Sequence, residues 1–203
     1  MKKKNVSIIL NCILVVFEII AFISTIIVHK KIGIQYYTEQ SNFLAMCSSL
    51  LYIIFISSSK KIPRWLYFFK YISTVCLTLT FFVVILILAP MYNFNYGYLL
   101  FHEAMIFVHL LCPIIGIITF IFFDELNDYK KKDSFIGTFY TFLYAFVFII
   151  LNVLKVLEGP YPFLMVYKQP IYMSVLWCIL ILVLSYSLSI VLGKLYVKKR
   201  HNQ

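Results

Sequence analysis

The sequence predicts an all-α, polytopic membrane protein, a bundle of six transmembrane helices forming a single domain over residues 1–203. Hydrophobic residues make up 63% of the chain and charged residues only 13%, whereas about a quarter of an ordinary soluble domain is charged. Mean hydropathy is +0.93. This composition excludes a disordered chain and an ordinary soluble enzyme. It predicts a multi-pass protein of the cell membrane.

Six apolar stretches are long enough to cross a bilayer as helices, which takes about 20 residues each. The first follows a basic start typical of a signal peptide, but its apolar part is longer and no small-x-small cleavage site follows. We therefore expect it to be a retained helix. In lipid every backbone polar group needs an internal partner, so all six stretches must be helical. The predicted spans are about 6–28, 37–57, 65–89, 99–123, 135–157 and 170–193.

The basic residues predict the orientation, because Lys and Arg concentrate on cytoplasmic loops. With the N-terminus inside, the inner segments hold basic runs at 2–4, 60–64, 130–132 and 194–200. The outer segments hold Lys30, Lys31, Lys155 and Lys168. This bias predicts that both termini are cytoplasmic. It also explains the net charge of +10 without a nucleic-acid partner, and none is predicted.

Lys70 and the polar residues of the first span are the next candidates for special roles. Lys70 lies near the inner start of the third span, where we expect its side chain to reach toward water. Asn11, Glu18 and Thr25 recur every seven residues, so they share one helix face. Glu18 lies near the predicted midplane, where an ionisable group costs about 2.5–3.5 kcal/mol on insertion scales. Two readings remain open: a carboxyl bonded to a neighbouring helix, or a functional group.

The second span carries a stripe of small and polar residues that begins at Thr38 and includes Asn42. Small residues at this spacing usually form a helix-packing face, while Glu39 beside them either reaches water or joins a site. The stripe consists of Thr38, Ser41, Asn42, Ala45 and Ser48. Both readings, packing face and functional site, remain open here.

The fourth span contains two histidines, His102 and His109, which are seven residues apart and are expected to share a face. Histidine at membrane depth is a functional candidate by default, and Glu103 either orients one of the two or faces the interface. Pro113 is expected to kink the helix just beyond His109. In the fifth span, Asn152 and Lys155 follow helical spacing.

Under the predicted orientation these candidates converge on a polar pocket in the outer half of the bilayer. No metal and no cofactor is predicted, because the five cysteines lie in apolar stretches without C-x-x-C spacing and no P-loop motif is present. Oligomeric state does not follow from the sequence. The candidate site residues are Glu18, Thr38, Asn42, His102, Glu103, His109, Asn152 and Lys155.

Three short motifs give the chain a resemblance to a known family. They are Tyr36-Tyr-Thr-Glu-Gln-Ser-Asn42, His109-Leu-Leu-Cys-Pro113 and Tyr161-Pro-Phe163. In this order they resemble the bacterial six-span relatives of the androgen-induced / androgen-dependent membrane hydrolase family. The resemblance implies a lipid-ester hydrolase in which an intramembrane Thr is the nucleophile and a His the base. It places these roles at Thr38 and His109.

This chemistry is coherent, since a Thr hydroxyl becomes nucleophilic when a neighbouring base takes its proton. Burial favours a neutral imidazole that can accept it, and Asn42 or a backbone N–H is a candidate oxyanion donor. By depth, however, His102 is closer to Thr38 than His109 is, so both histidines remain open as partners. The alternative function is a non-catalytic binding or transport component whose partner is a membrane lipid or small amphiphile. A purely structural membrane protein is the third reading.

Overall fold

The computed structural model describes residues 2–30, 33–58, 60–126 and 129–201. Within these ranges the regular secondary structure is entirely helical. A 3₁₀ turn, Pro162–Leu164, lies between the last two helices. The seven helices of the described ranges are α1 Lys2–His29, α2 Tyr37–Ser57, α3 Arg64–Met91, α4 Tyr96–Phe101, α5 Phe107–Phe123, α6 Asp133–Val153 and α7 Ile171–His201.

Five of the described helices, α1, α2, α3, α6 and α7, are long and apolar enough to cross a membrane. Their outward faces are also apolar. On α6, for example, Phe135, Phe139 and Phe142 are 68%, 57% and 53% exposed. A soluble monomer rarely exposes apolar patches of this kind, whereas lipid is their natural solvent. The fold is therefore that of a helical membrane bundle.

Helix α3 lies at the centre of the bundle. In its most apolar window 67% of the residues are buried, against 22% in α6 and 17% in α7. It packs against α2, α5, α6 and α7. Its hydroxyl side chains are satisfied within the helix: Thr74 donates to the Lys70 carbonyl oxygen and Thr78 to that of Thr74. Polar residues can therefore lie in this central helix without an unpaired group.

Three members of the small-residue stripe of α2 form a packing face against α3, which favours the packing interpretation for this part of the stripe. Ser41, Ala45 and Ser48 are all buried. The hydroxyl of Ser41 lies 3.0 Å from Thr80 Oγ1, and that of Ser48 lies 2.8 Å from Ser73 Oγ. Small side chains let the two helices approach closely, and their hydroxyls pair across the interface.

The predicted fourth span is broken. Helix α4 ends at Phe101, and α5 begins at Phe107 and is an apolar helix of 10–17 residues rather than a full-length span. Between them Glu103 has a φ of 50°, a left-handed conformation that interrupts a helix. A π turn, Phe107–Leu111, directly precedes the helix segment Cys112–Ile118 that contains Pro113. Pro113 has no N–H to donate to the preceding turn, which is a recognised cause of such irregularity.

Candidate functional site

Thr38 lies in the first turn of α2, where its partner is Tyr161. The Thr38 hydroxyl oxygen is 3.3 Å from the Tyr161 phenol oxygen, and the Thr38 backbone N–H donates to the same oxygen at 3.2 Å. The Tyr161 ring stacks on Phe163, with centroids 5.2 Å apart. Burial raises the pKa of the Tyr161 phenol to about 12. Thr38 therefore faces a phenol that stays protonated at physiological pH.

We call the cavity beside Thr38 the Thr38 pocket. It is partly open and has a volume of about 50 Å³. Its walls are mainly apolar, with a few hydroxyls. They are formed by Tyr37, Thr38, Leu79, Thr80, Val83, Val84, Leu88, Thr141, Tyr144, Ala145, Tyr161, Phe163, Leu164, Cys178 and Ile181.

The other hydroxyls of the Thr38 pocket are held by bonds between helices. Tyr37 OH lies 2.8 Å from Thr141 Oγ1, and Thr141 Oγ1 lies 3.1 Å from Ser185 Oγ. Tyr144 donates to the Gln35 carbonyl oxygen at 2.7 Å. The chain Tyr37–Thr141–Ser185 thus joins α2, α6 and α7 along one wall. These bonds fix the positions of the polar groups in an otherwise apolar pocket.

His109 is buried but is bonded elsewhere. Its Nδ1 lies 2.6 Å from the Leu99 carbonyl oxygen. Because a carbonyl oxygen can only accept, Nδ1 carries the proton, and in the neutral ring Nε2 is the unprotonated nitrogen. In the described part of the chain, His109 and Thr38 share no hydrogen bond and His109 does not line the Thr38 pocket. The structure therefore does not assemble the Thr38–His109 pair expected from the resemblance.

Asn42 links the neighbourhoods of these two residues. Its side-chain N–H groups donate to the Thr38 carbonyl oxygen at 2.8 Å and to the Val108 carbonyl oxygen at 3.3 Å. Val108 immediately precedes His109. Asn42 therefore tethers the first turns of α2 to the start of α5.

Glu18 lies on the other side of Asn42, in a second and much smaller cavity. The Glu18 side chain is 3% exposed, and the Cys112 thiol lies close enough to interact with its carboxyl. We call this cavity the Glu18 gap. It has a volume of about 10 Å³ and is lined by Glu18, Ala21, Phe22, Glu39, Asn42, Phe43, Met46 and Val108.

His102 and Glu103 lie in the break between α4 and α5, outside any helix. Their side chains are 52% and 28% exposed, and His102 Nδ1 lies 3.7 Å from Glu103 Oε1. The prediction that His102 and His109 share a helix face is wrong, because the chain leaves the helical path at Glu103. Neither His102 nor Glu103 lines a described cavity.

Asn152 and Lys155 belong to a separate surface groove at the end of α6. Asn152 donates to the Leu157 carbonyl oxygen and accepts from the Val166 N–H. The Lys155 ammonium lies 5.1 Å from the centre of the Tyr167 ring. These contacts fold the loop after α6 back on the helix. The structure brings neither residue to the Thr38 pocket.

Sequence reasoning missed a second group of buried polar side chains around Lys70. The expectation that Lys70 reaches toward water is wrong: its side chain is 2% exposed. Its ammonium donates to Asn11 Oδ1 at 2.6 Å and to Ser49 Oγ at 2.7 Å, and lies 3.8 Å from Asp124 Oδ2. Asp124 accepts in turn from Ser7 and Asn11. We call Ser7, Asn11, Ser49, Tyr52, Lys70 and Asp124 the Lys70 cluster.

Two features of the sequence pointed toward the contacts that were not predicted. Asn11 was expected on the same face as Glu18. That face does point toward one region, since Asn11 donates to Asp124, the residue after α5, and Glu18 lies near Cys112 of α5. Tyr161 was visible only as part of a short motif. In the described ranges, no three His, Cys, Asp or Glu side chains are grouped so as to hold a metal ion.

Comparisons with protein-family models, with curated proteins and with solved structures found no match. The family resemblance therefore stays a prediction that rests on three short motifs.

Proposed function

We propose that this protein is a six-span membrane protein whose Thr38 pocket binds a hydrocarbon chain of a membrane lipid or small amphiphile. The observation that carries the proposal is the pocket itself, which has apolar walls and a pair of hydroxyls, those of Thr38 and Tyr161, on one side. Ligand sites are typically apolar clefts with a few well-placed polar groups. An amphiphile has a hydrocarbon chain that fits the apolar walls and a polar group that fits the two hydroxyls.

The proposed membrane arrangement includes α5 as the sixth span and places both termini in the cytoplasm. A helix of 17 residues is about 26 Å long, slightly less than the roughly 30 Å of a hydrocarbon core. Local bilayer thinning accommodates such a span at modest cost. The basic runs near 2–4 and 194–200 support the cytoplasmic termini.

The size of the pocket limits what it holds. By the measure in which one water molecule needs roughly 10–15 Å³, about 50 Å³ accommodates a short run of methylene groups. The pocket is partly open, so the rest of the chain extends into the bilayer. The hydroxyls of Thr38 and Tyr161 then lie beside a polar group of the ligand, such as an ester or hydroxyl.

A lipid-ester hydrolase is the second candidate, favoured by the Thr38 hydroxyl on the wall of this pocket. In that reaction Thr38 Oγ1 attacks the ester carbonyl, its proton passes to a base, and the alcohol leaves to give an acyl-enzyme that water then hydrolyses. His109 Nε2 is the candidate base. It must come within about 2.6–3.2 Å of Thr38 Oγ1, so this candidate requires a rearrangement of the segment around the α4–α5 break.

Binding is tested with purified protein in nanodiscs and a fluorescent long-chain ester. The variant Ala145→Phe fills the pocket, since Ala145 forms part of its wall. Leu143→Phe is the matched control, because Leu143 lies on the same helix and is 42% exposed. We expect saturable binding in the wild type and the control and its loss in Ala145→Phe. Equal binding by the two variants, or none by the wild type, refutes the proposal.

Turnover of the same ester decides the second candidate. Thr38→Ala and His109→Ala should each abolish ester cleavage in protein that still binds and remains folded. If the wild type cleaves and both variants cleave equally well, the hydrolase mechanism is wrong. Binding without cleavage leaves the amphiphile-binding function standing alone.

A further inference from the structure

The Glu18 gap is lined by two residues whose buried side-chain oxygens make no hydrogen bond. In the described part of the chain, Glu18 Oε1 and Asn42 Oδ1 are buried and make no hydrogen bond. Both residues are only 3% exposed, and both line the gap. An unsatisfied buried acceptor destabilises the folded state, so two of them on one small gap require a physical reason.

The orientation of the Asn42 amide is fixed by its neighbours. Its nitrogen donates to two backbone carbonyl oxygens, those of Thr38 and Val108. Rotating the amide by 180° would set Oδ1 against both carbonyls, which cannot donate. Asn42 therefore presents an oxygen, and not an N–H group, to the remaining space.

The Glu18 carboxyl is the second oxygen group on the same gap, and a bound cation would favour its charged form. Its polar neighbour on α5 is the thiol of Cys112, and a thiol is only a weak donor. The Glu39 side chain also lines the gap and is close enough to act on Glu18 electrostatically. The gap thus combines the Glu18 carboxyl with a fixed amide oxygen. The Glu39 carboxyl is also on its wall, and its described lining residues include no basic side chain.

We propose that the Glu18 gap binds one monovalent metal cation, with Na⁺ as the preferred ion. A cation supplies the positive charge that the buried oxygens need, and hard cations take oxygen ligands. The volume of about 10 Å³ suits one water-sized occupant. Its side chains offer few oxygen ligands, those of Glu18, Asn42 and Glu39, whereas Ca²⁺ takes 6–8 and Mg²⁺ needs room for the waters that it retains.

Such an ion would join three elements. Glu18 belongs to α1, Asn42 and Glu39 to α2, and Val108 and Cys112 to α5. Bound Na⁺ would hold α1 against the start of α2 and so stabilise the folded bundle, because a ligand that binds only the folded state raises its stability. This inference does not depend on what the Thr38 pocket binds.

The test measures the Tm of the purified wild-type protein in detergent while NaCl replaces choline chloride at constant ionic strength and pH. We expect a saturable rise of Tm with NaCl and a smaller one with KCl, together with retention of ²²Na⁺ by the protein. If Tm is the same in NaCl and choline chloride and no ²²Na⁺ is retained, the site does not exist. A response to CaCl₂ alone overturns the monovalent assignment.

Two variants locate the response. Glu18→Gln removes the carboxyl that would bind the ion at nearly constant shape, and we expect it to abolish both the Na⁺-dependent rise of Tm and ²²Na⁺ retention. Glu158→Gln is the matched control, since Glu158 is 61% exposed and pairs with Lys168; it should respond as the wild type does. If Glu18→Gln does not fold, Asn42→Ala provides the same readout. An unchanged Na⁺ response in both Glu18→Gln and Asn42→Ala rules out this location.

Discussion

The Lys70 cluster and the Glu18 gap are both made of polar side chains buried in an apolar bundle, yet they differ in how they are satisfied. In the Lys70 cluster the ammonium has two hydrogen-bond acceptors and a carboxylate 3.8 Å away. In the Glu18 gap two oxygens have no hydrogen-bond partner. Both regions are buried, and Asp124 Oδ2 in the Lys70 cluster also lacks a hydrogen bond, but it lies beside a cation, whereas the lining of the Glu18 gap includes no basic side chain.

This difference separates a structural role from a ligand-binding one. Ser7 and Asn11 of α1 donate to Asp124 Oδ1, and Lys70 of α3 donates to Asn11 and to Ser49 of α2. Asp124 Oδ2 makes no hydrogen bond, but the Lys70 ammonium lies 3.8 Å away and balances its charge. No described cavity is lined by these residues. The cluster therefore acts as a closed junction between helices. The Glu18 gap has both room and unmet acceptors, and these are the properties that a ligand site requires.

The largest expected effect comes from breaking the Lys70 cluster. Asp124→Ala removes the carboxylate that faces the buried Lys70 ammonium. Breaking one side of a buried ion pair typically lowers the free energy of unfolding by about 3–5 kcal/mol, because the other charge is left uncompensated. Reversible unfolding in detergent micelles measures the loss. The double variant Lys70→Met/Asp124→Leu should recover most of it.

The exposed pair of Glu158 and Lys168 is the control for that experiment. Their side chains are 61% and 64% exposed, and exposed pairs contribute about 0–1 kcal/mol. Glu158→Ala should therefore leave stability nearly unchanged. If Asp124→Ala costs no more than Glu158→Ala, the Lys70 cluster does not hold the helices together.

The second prediction is that substitution by methionine changes the free energy of unfolding in opposite directions in the two regions. In buffer without Na⁺, Glu18→Met removes an unsatisfied acceptor and should raise the free energy of unfolding by about 1–3 kcal/mol. Lys70→Met leaves Asp124 buried without its cation and should lower it. Unfolding of both variants in choline chloride measures the two signs. A loss of stability in Glu18→Met would show that Glu18 is already satisfied, as Lys70 is.

Hydropathy predicted the membrane helices because it is a local property of the chain. The predicted second span, 37–57, coincides with α2, Tyr37–Ser57. The prediction of one continuous fourth span was wrong at Glu103. Its left-handed φ of 50° does not change the hydropathy of the stretch, so hydropathy cannot reveal it. Local sequence thus fixes which stretches are apolar, but a single backbone reversal inside one of them is set by packing.

Partners of buried polar groups could not be predicted in the same way. Asp124 follows a phenylalanine-rich stretch and reads as the polar end of a span, whereas it pairs with Lys70 across the bundle. Thr38 was expected to face a histidine and faces Tyr161 instead. Each of these contacts joins residues more than 50 positions apart. Helical periodicity assigns a residue to a face, but which helix covers that face depends on the whole bundle.

The third prediction concerns the hydroxyl chain in the wall of the Thr38 pocket, which is paired like the Lys70 cluster but uncharged. Tyr37→Phe and Thr141→Val each remove one member of the 2.8 Å contact between them. Each should lower the free energy of unfolding by about 0.5–1.5 kcal/mol. The double variant should lose less than the sum, because both changes remove the same bond.

Tyr172→Phe is the control for the hydroxyl chain, since Tyr172 is 70% exposed. It should leave stability within about 0.5 kcal/mol of the wild type. Full additivity of Tyr37→Phe and Thr141→Val would contradict a shared bond. Because the hydroxyl chain is uncharged, each of these two substitutions should lower the free energy of unfolding by less than Asp124→Ala does.

The smallest expected effect is that of pH on the Thr38 pocket. An ordinary tyrosine has a pKa near 10, whereas burial raises that of Tyr161 to about 12. The phenol therefore stays protonated between pH 7 and 10 and keeps its contact with Thr38. Affinity for an uncharged long-chain ester should be constant over this range in the wild type, measured by fluorescence titration in nanodiscs.

Tyr161→Phe shows whether the phenol contributes at all. Losing one hydrogen bond to the ligand or to Thr38 should weaken binding by about 0.5–1.5 kcal/mol at every pH in the range. If wild-type affinity instead falls toward the Tyr161→Phe value between pH 9 and 10, the phenol ionises as an exposed one does. The polar side of the pocket is then open to water, and the Thr38 pocket would differ from the Lys70 cluster in hydration as well as in charge.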